Sequence, residues 1–550
     1  MEHTKSVVSK HTLITLSFLL LCLSITFNAH AQKPKLIVGI VVDQMRVDYL
    51  TRYESKFGEG GFKKLMKGGY FNKNTNYNYV PTYTGPGHAA IFTGSVPRVN
   101  GIIANDWYDK KTGKSLYCTE DETVNTVGST SKAGKMSPKN LLTTTIGDEL
   151  RLATNMQAKV IGISQKDRAS ILPAGHIANA AYWYDGSNGA FISSTFYMKE
   201  LPTWVAAFND KKLPEKYLSQ NWTTLLPIAS YSESLSDDNA FEGLFKGEDK
   251  PIFPHKLAEL KEKNKGLNMI RATPFGNSLT KDFAIEAISN EQLGADAITD
   301  FLSVSFSSTD YVGHQYGINA IETEDTYLRL DKDLEVLIDY LEKNIGKDNF
   351  VIFLTADHGG AHNAAYLQSL KVPAGFINEK MIEDSIKAHL KQLYGDTLVL
   401  SYSNQQIFLN HTTLSKNKLK LKEVTMEAAR YALTLEGVAN AYSLYDVVSA
   451  SQSNDVALSR IFMGYNDVRS GDVMLNYLPA YVDYMKTGTT HGAAYSYDTH
   501  VPLLWYGWKI KQGSSYEPVN ISDIAPTVAS FLDISFPNGC VGKPIGGLVK

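Results

Sequence analysis

Short apolar runs recur along the chain, and several of them lead to an acid. Leu36-Ile37-Val38-Gly39-Ile40-Val41-Val42 ends at Asp43. Phe301-Leu302-Ser303-Val304-Ser305-Phe306 is followed by Asp310 and then His314. Phe350-Val351-Ile352-Phe353-Leu354-Thr355-Ala356 ends at Asp357-His358. Apolar runs of this length, bounded by polar residues, predict strands buried on both faces. The pattern predicts helices over 282–298 and 324–345, each followed by a strand, over 299–306 and 349–356. Ser137-Pro138, a serine cap with proline at the first helical position, predicts a helix to about Ala153. Residues 158–163 then read as a strand leading to Lys166. Strand and helix in alternation predict an α/β fold with a mostly parallel central sheet and helices on both faces.

In open sheets of this kind ligands bind beyond the carboxyl ends of the strands. Three runs that each deliver an acid there describe one site, which His491, in Thr490-His491-Gly492, joins from far downstream. Carboxylate oxygen and imidazole nitrogen are both good zinc ligands, and the set suits two zinc ions. A nucleophile is offered by Thr84, in Thr82-Tyr83-Thr84-Gly85-Pro86-Gly87-His88. The turn precedes an apolar, helical stretch, so Thr84 is expected near a helix N-terminus, where free N–H groups favour an anion. Metal coordination is one way to activate an alcohol that is otherwise a weak nucleophile. Each piece taken singly has a bland reading: a turn aspartate, a surface histidine, a loop threonine. Their joint occurrence in this order is what points to a two-metal site.

Asp43, Thr84, Asp310-x-x-x-His314, Asp357-His358 and His491 resemble the ligand set of the alkaline phosphatase superfamily. The set is more similar to the type I phosphodiesterase/nucleotide pyrophosphatase branch, and within it to the phosphate-irrepressible, PafA-type bacterial alkaline phosphatases. Asn105, Lys166 and Arg168 carry that last distinction, and the resemblance runs from about Lys35 to the C-terminus. It implies an alkaline-phosphatase-like core and two zinc ions per chain, with no magnesium site. Asp310, His314 and His491 would hold one ion, and Asp43, Asp357 and His358 the other, with Thr84 as its fourth ligand. Thr84 would become a phosphothreonine, with Asn105, Lys166 and Arg168 binding the substrate's phosphoryl oxygens. Three such donors suit the dianion of a phosphate monoester, so the implied activity is broad hydrolysis of small monoesters to an alcohol and inorganic phosphate. A phosphodiesterase or nucleotide pyrophosphatase using the same site is the alternative. Thr84-Gly85-Pro86-Gly87-His88 lacks the Cys/Ser-x-Pro-x-Arg context of a sulfatase. A secreted metal- or phosphate-binding protein without turnover is a further alternative, against which a complete ligand set with a nucleophile argues.

The remaining features set boundaries. The 550 residues are 43% hydrophobic and 20% charged, ordinary for a globular protein, and a net charge of -3 gives no reason to propose a nucleic-acid partner. A basic start, a short apolar stretch and Ala29-His30-Ala31 predict a signal peptide over 1–31, cut after Ala31. A periplasmic or secreted enzyme without stable membrane insertion is therefore expected. Cys118 and Cys540 remain, and pairing and independence both stay open. The expected organisation is a core over 32–169, 281–375 and 486–550. A lid or wall over 170–280 and a small α+β subdomain over 376–485 interrupt it. Among the other histidines, His88, His176, His255 and His411 read as structural or surface residues, and His362 as the one nearest the site.

Overall fold

The computed structural model describes residues 33–549. The expected signal peptide, its cut after Ala31 and the new terminus at Gln32 lie outside the described residues. The central sheet has eleven strands among the described residues, three of them short edge pieces; the eight longer ones are β1 (Leu36–Val42), β2 (Tyr70–Asn76), β3 (Val160–Ser164), β4 (Ala180–Asp185), β5 (Ala190–Ser194), β6 (Asp300–Phe306), β7 (Phe350–Thr355) and β8 (His500–Gly507). Their order is β2-β8-β7-β1-β6-β3-β4-β5. The five inner strands from β7 to β4 are parallel; β8 and β5 run antiparallel to them, and β2, antiparallel to β8, runs in their direction again. Every residue of β1, β6 and β7 is buried, which is why these strands read as largely apolar runs, broken only by small hydroxyl residues and by Asp300 at the start of β6.

Register decides where the acids meet. Val41 pairs with Thr355 and Val42 with Phe306, so β7, β1 and β6 end level. Leu503 of β8 lies opposite Thr355, so the start of this antiparallel strand shares that edge, and the loop before it brings His491 there. Three helices begin at the same edge: α1 (Thr84–Thr93), α2 (Asp167–Ala174) and α3 (Ser308–Tyr316).

Several boundaries differ from the sequence expectation. The helix expected from Ser137 starts at Ile146, where Thr145 and Asp148 form a reciprocal capping box. Ser137 instead donates its hydroxyl to Asp121 at 2.6 Å. The helix expected over 282–298 runs Phe275–Asn290. Residues 180–194, expected in the lid, are strands β4 and β5 of the main sheet, so the excursion from the core starts later. Their buried aromatic residues, among them Tyr182, Trp183 and Phe191, mask the strand signal that aliphatic runs give elsewhere. Residues 376–485 carry their own four-stranded sheet and hydrophobic cluster. Cys118 and Cys540 are both free. They lie against Gly85 and Gly94, at opposite ends of α1, roughly 14 Å apart along its axis and beyond disulfide reach. No helix among the described residues is long and apolar enough to cross a membrane.

The excursion after β5 is pinned to the core by His255. Its ring nitrogens lie 2.8 Å from Glu248 and 3.2 Å from Glu322, the latter on helix Ile321–Asn344. Burial works against the imidazolium, but the two carboxylates outweigh it and push His255 up to about 9. A histidine raised in this way stabilises the fold fully below its unfolded value near 6.5. That contribution is lost as pH rises through about 9. Glu242, raised by burial and by Glu322, erodes stability in the same direction. His255→Gln should therefore cost at most ~3 kcal/mol near pH 6 and far less at pH 10. Thermal unfolding midpoints of the two proteins should converge as pH is raised; a gap independent of pH would show that the charge contributes nothing.

Candidate metal centre

Asp43, Asp310, Asp357, His314, His358 and His491 meet at the level strand ends. Asp43 is the first residue past β1, and its N–H still bonds Phe306 across the sheet at 3.0 Å. Asp310 and His314 lie one turn apart on α3, which carries both toward the same point, with His314 Nε2 3.1 Å from Asp310 Oδ1. His491 Nε2 is 3.7 Å from the same oxygen. Asp357 and His358 sit in the turn after β7, with His358 Nε2 3.5 Å from Asp43 Oδ1 and 3.6 Å from Asp357 Oδ2.

Those last three atoms are buried and have no hydrogen-bond partner among the described residues. A nitrogen 3.5 and 3.6 Å from two carboxylate oxygens, all three atoms within 4.8 Å of one another, is close to the spacing of ligands around an ion bonded at about 2.05 Å, where a tetrahedral edge is about 3.3 Å. Asp43, Asp357 and His358 thus fit one metal ion; Asp310, His491 and again His358 stand close enough for a second, while His314 pairs with Asp310 outside that group. The tautomers agree. His314, His358 and His491 each direct Nδ1 at a backbone carbonyl, of Thr489, Gly359 and Thr82, at 2.8, 2.9 and 2.7 Å. At His358 and His491 the carbonyl takes the ring proton and leaves Nε2 as a lone pair facing the site; at His314, which Asp310 raises against its burial, Nε2 is protonated as well and faces that carboxylate.

Charge is concentrated here beyond what the carboxylates alone tolerate. Burial and Asp310 push Asp43 up to about 6, with Lys166 opposing. Burial and Asp43 raise Asp357. Asp310 stays low despite its burial, because His314 and Lys166 hold it ionised. Burial also pushes His358 down to about 3, the neutral form a ligand needs.

Thr84 is the first residue of α1, and every residue of that helix is buried. The helix can approach this closely because of Gly87: a Cβ there would stand 2.4 Å from the Asp357 carbonyl oxygen. Asn105 accepts from the Gly85 N–H at 2.8 Å through its side-chain oxygen, which orients its NH2 as the free donor. Lys166 follows β3, and its ammonium lies 2.7 Å from Asp43, 2.6 Å from Asp310 and 3.4 Å from Thr84 Oγ1. Burial disfavours that charge, but Asp310 and Asp43 outweigh it. Arg168, on the first turn of α2, donates to Tyr117 Oη at 3.0 Å, and its Nε has no partner among the described residues. Opposed carboxylates, a buried hydroxyl at a helix N-terminus and two converging cations can bind an oxyanion and attack it.

Two contributors escape sequence reading. His88, read above as structural or surface, is fully buried; it bonds Thr84 O and Ser305 Oγ, each at 2.9 Å, and lies 3.4 Å from Asp357. Gln44 adopts a left-handed backbone, with φ of 61°. From there its main-chain N–H donates to Asp357 Oδ1 at 3.2 Å and its side-chain amide to Asp310 Oδ1 at 2.9 Å. One residue thereby ties both donor groups together. Its position directly after Asp43 is the one signal the sequence holds. His362 bonds Asn319 at 3.2 Å.

Residues 37–498 match the family described as type I phosphodiesterase / nucleotide pyrophosphatase. Among curated proteins, the chain is 50% identical to alkaline phosphatase PafA of Elizabethkingia meningoseptica, over 93% of this chain and 94% of that one. It is 47% identical to a protein of Myroides odoratus named calcium-transporting ATPase, over 98% of each. The crystal structure of wild-type PafA superposes with a TM-score of 0.91 at 49% identity, covering 95% of this chain and all of that one.

Gln44→Leu removes the amide that steadies Asp310 while leaving every candidate ligand in place. Loss of such a supporting bond typically lowers metal affinity about 10–100-fold. Dialysis against a graded chelator, followed by elemental analysis, should show the variant losing metal at correspondingly lower chelator strength. Equal retention by a folded variant would exclude this role.

Proposed function

The chain belongs to the type I phosphodiesterase / nucleotide pyrophosphatase family, and from that premise we propose an alkaline phosphatase that hydrolyses phosphate monoesters through a phosphothreonine on Thr84. The observation that carries this reading is the place of Lys166, within 3.4 Å of the Thr84 hydroxyl and ion-paired to acids of both donor groups. It adds positive charge, with Arg168 beside it, where a monoester dianion carries one more negative charge than a diester. Near identity of half the residues with PafA, over nearly the whole of both chains, supports the same activity. The leader read over 1–31 supports a periplasmic or secreted enzyme.

Asp310, His314 and His491 would hold one zinc ion, and Asp43, Asp357 and His358 the other, with Thr84. Bound there, the ions would favour the Thr84 alkoxide and offset charge on the departing oxygen. The protein's own part is positioning and charge. Thr84 Oγ forms a bond to phosphorus as the bond to the alcohol oxygen breaks. Lys166, Arg168 and the Asn105 NH2 hold the other oxygens, the arginine as a planar fork and the lysine as a compact charge. Water then displaces Thr84, the P–Oγ bond breaks, and inorganic phosphate leaves. Lys166 and Arg168 weigh against diesters, which lack the second charge these two would meet.

Thr84→Ala should abolish nearly all turnover in a folded protein that still binds metal. Mass spectrometry of an acid-quenched wild-type reaction should place phosphate on the Thr84 peptide; phosphate confined to another residue would overturn the assignment. Elemental analysis should give two zinc ions per chain, and a fully active protein with one would refute the two-ion reading.

Charge-assisted bonds are worth roughly 1.5–3 kcal/mol each. Lys166→Ala with Arg168→Ala should accordingly lower kcat/KM for an aryl monoester at least about 100-fold, and for its methyl diester much less. Equal losses would mean that the pair positions the site without selecting monoesters.

A further inference from the structure

A cavity of about 140 Å³ opens between the core and the 376–485 subdomain, against His491 on one side and Tyr83 on the other. Tyr83 immediately precedes the nucleophile, and its ring packs edge-on against His491 with centroids 5.6 Å apart. Asn404, also on the wall, donates to Asp106 O at 2.7 Å, next to the phosphate-facing Asn105. The cavity is thus lined by a candidate metal ligand and by the residue before Thr84, and its wall is tied to the residue after Asn105.

Its lining has one sign of charge. Glu379, Asp483 and Asp498 face it, and no lysine or arginine among the described residues does. Asp498 is fully buried; its Oδ2 accepts from the Gly492 and Ala493 N–H groups at 2.9 and 2.8 Å. Its Oδ1 is buried with no partner among the described residues, so its charge acts on the cavity through the field and not by contact. Glu379 accepts from Tyr477 Oη at 3.0 Å, which fixes it at the wall. Tyr477, Tyr481 and Tyr497 supply aromatic surface. Acids set among tyrosine rings are the chemistry that recognises an alkylammonium group, by Coulomb attraction and by the ring quadrupole.

We propose that this cavity is a leaving-group subsite that selects phosphate monoesters whose alcohol carries a positive charge, such as aminoalkyl or quaternary ammonioalkyl phosphates. The inference rests on the monoesterase reading above, in which His491 belongs to the ligands on the leaving-group side. The phosphoryl dianion binds at Lys166 and Arg168, and the cationic end of the alcohol lies among Glu379, Asp483 and Asp498. The two ends of the substrate meet opposite fields, which orients it for attack. Burial pushes Glu379 and Asp498 up to about 7 and raises Asp483, so an assay at pH 9 keeps the field in place.

The test compares 3-(trimethylammonio)propyl phosphate, its uncharged isostere 4,4-dimethylpentyl phosphate and 3-carboxypropyl phosphate on zinc-loaded enzyme at pH 9. The cationic ester should exceed the neutral one in kcat/KM by at least about tenfold, with the anionic ester below both. In Glu379→Gln with Asp483→Asn the cation-to-neutral ratio should fall toward 1. A second measurement needs no variant: the free ammonio alcohol should inhibit wild-type turnover at least tenfold more tightly than the neutral alcohol. No hydrolysis of any of the three esters would overturn the monoesterase reading itself. Hydrolysis of all three without preference, or with the anionic ester preferred, would overturn the subsite alone.

Discussion

Three buried aspartates held at the level ends of neighbouring strands are the constraint on which the rest of this structure depends. Asp43, Asp310 and Asp357 are within 4% of full burial, and mutual repulsion in a low-dielectric setting is costly. The fold answers with positive charge and directed donors: the Lys166 ammonium between Asp43 and Asp310, the Gln44 amide on Asp310 and the Gln44 N–H on Asp357. Three imidazoles whose Nδ1 protons are taken by carbonyls turn their Nε2 atoms inward. A concentration of acids this well framed is a design for cations, and removing any one member would strand the others.

The parallel sheet is what makes such a cluster affordable. Backbone pairing along β7, β1 and β6 fixes the height of each strand end to within a residue, so the acids need no flexible loop to find one another. Side chains delivered from the ends of rigid strands and first turns of helices are better fixed than side chains on long loops. Thr84 and Arg168 stand on first helical turns and Lys166 one residue before one, while His491 is tied by its bond to Thr82.

The pieces outside the sheet shape what reaches this centre. At the end of the excursion after β5, Arg271 bonds the carbonyl of Gln165, beside Lys166, at 3.2 Å and lies over the Tyr311 ring. Lys166 meets the same ring from its other neighbourhood, at 5.1 Å. On the opposite flank the 376–485 subdomain brings Glu379, Asn404 and Asp483 to the cavity beside His491. One flank is therefore cationic and the other anionic.

Much of the central sheet and every candidate ligand are legible in the sequence, because strands buried on both faces must be continuously apolar and a functional acid must interrupt them. The Asp310–His314 spacing and the Gly/Pro turn at Thr84 are equally local signals, since helical periodicity and turn chemistry act over a few residues. β4 and β5 were not legible, because aromatic and small residues replace the aliphatic run. The helix start at Ile146 was missed because Ser137-Pro138 mimics a cap, while the true cap depends on Thr145 and Asp148 closing on each other. Gln44, His88, the separation of Cys118 from Cys540 across α1 and the acidic cavity were decided by tertiary structure alone. Each depends on which distant segments the sheet register and the inserted subdomain bring together, and no pattern along the chain encodes a distance in space.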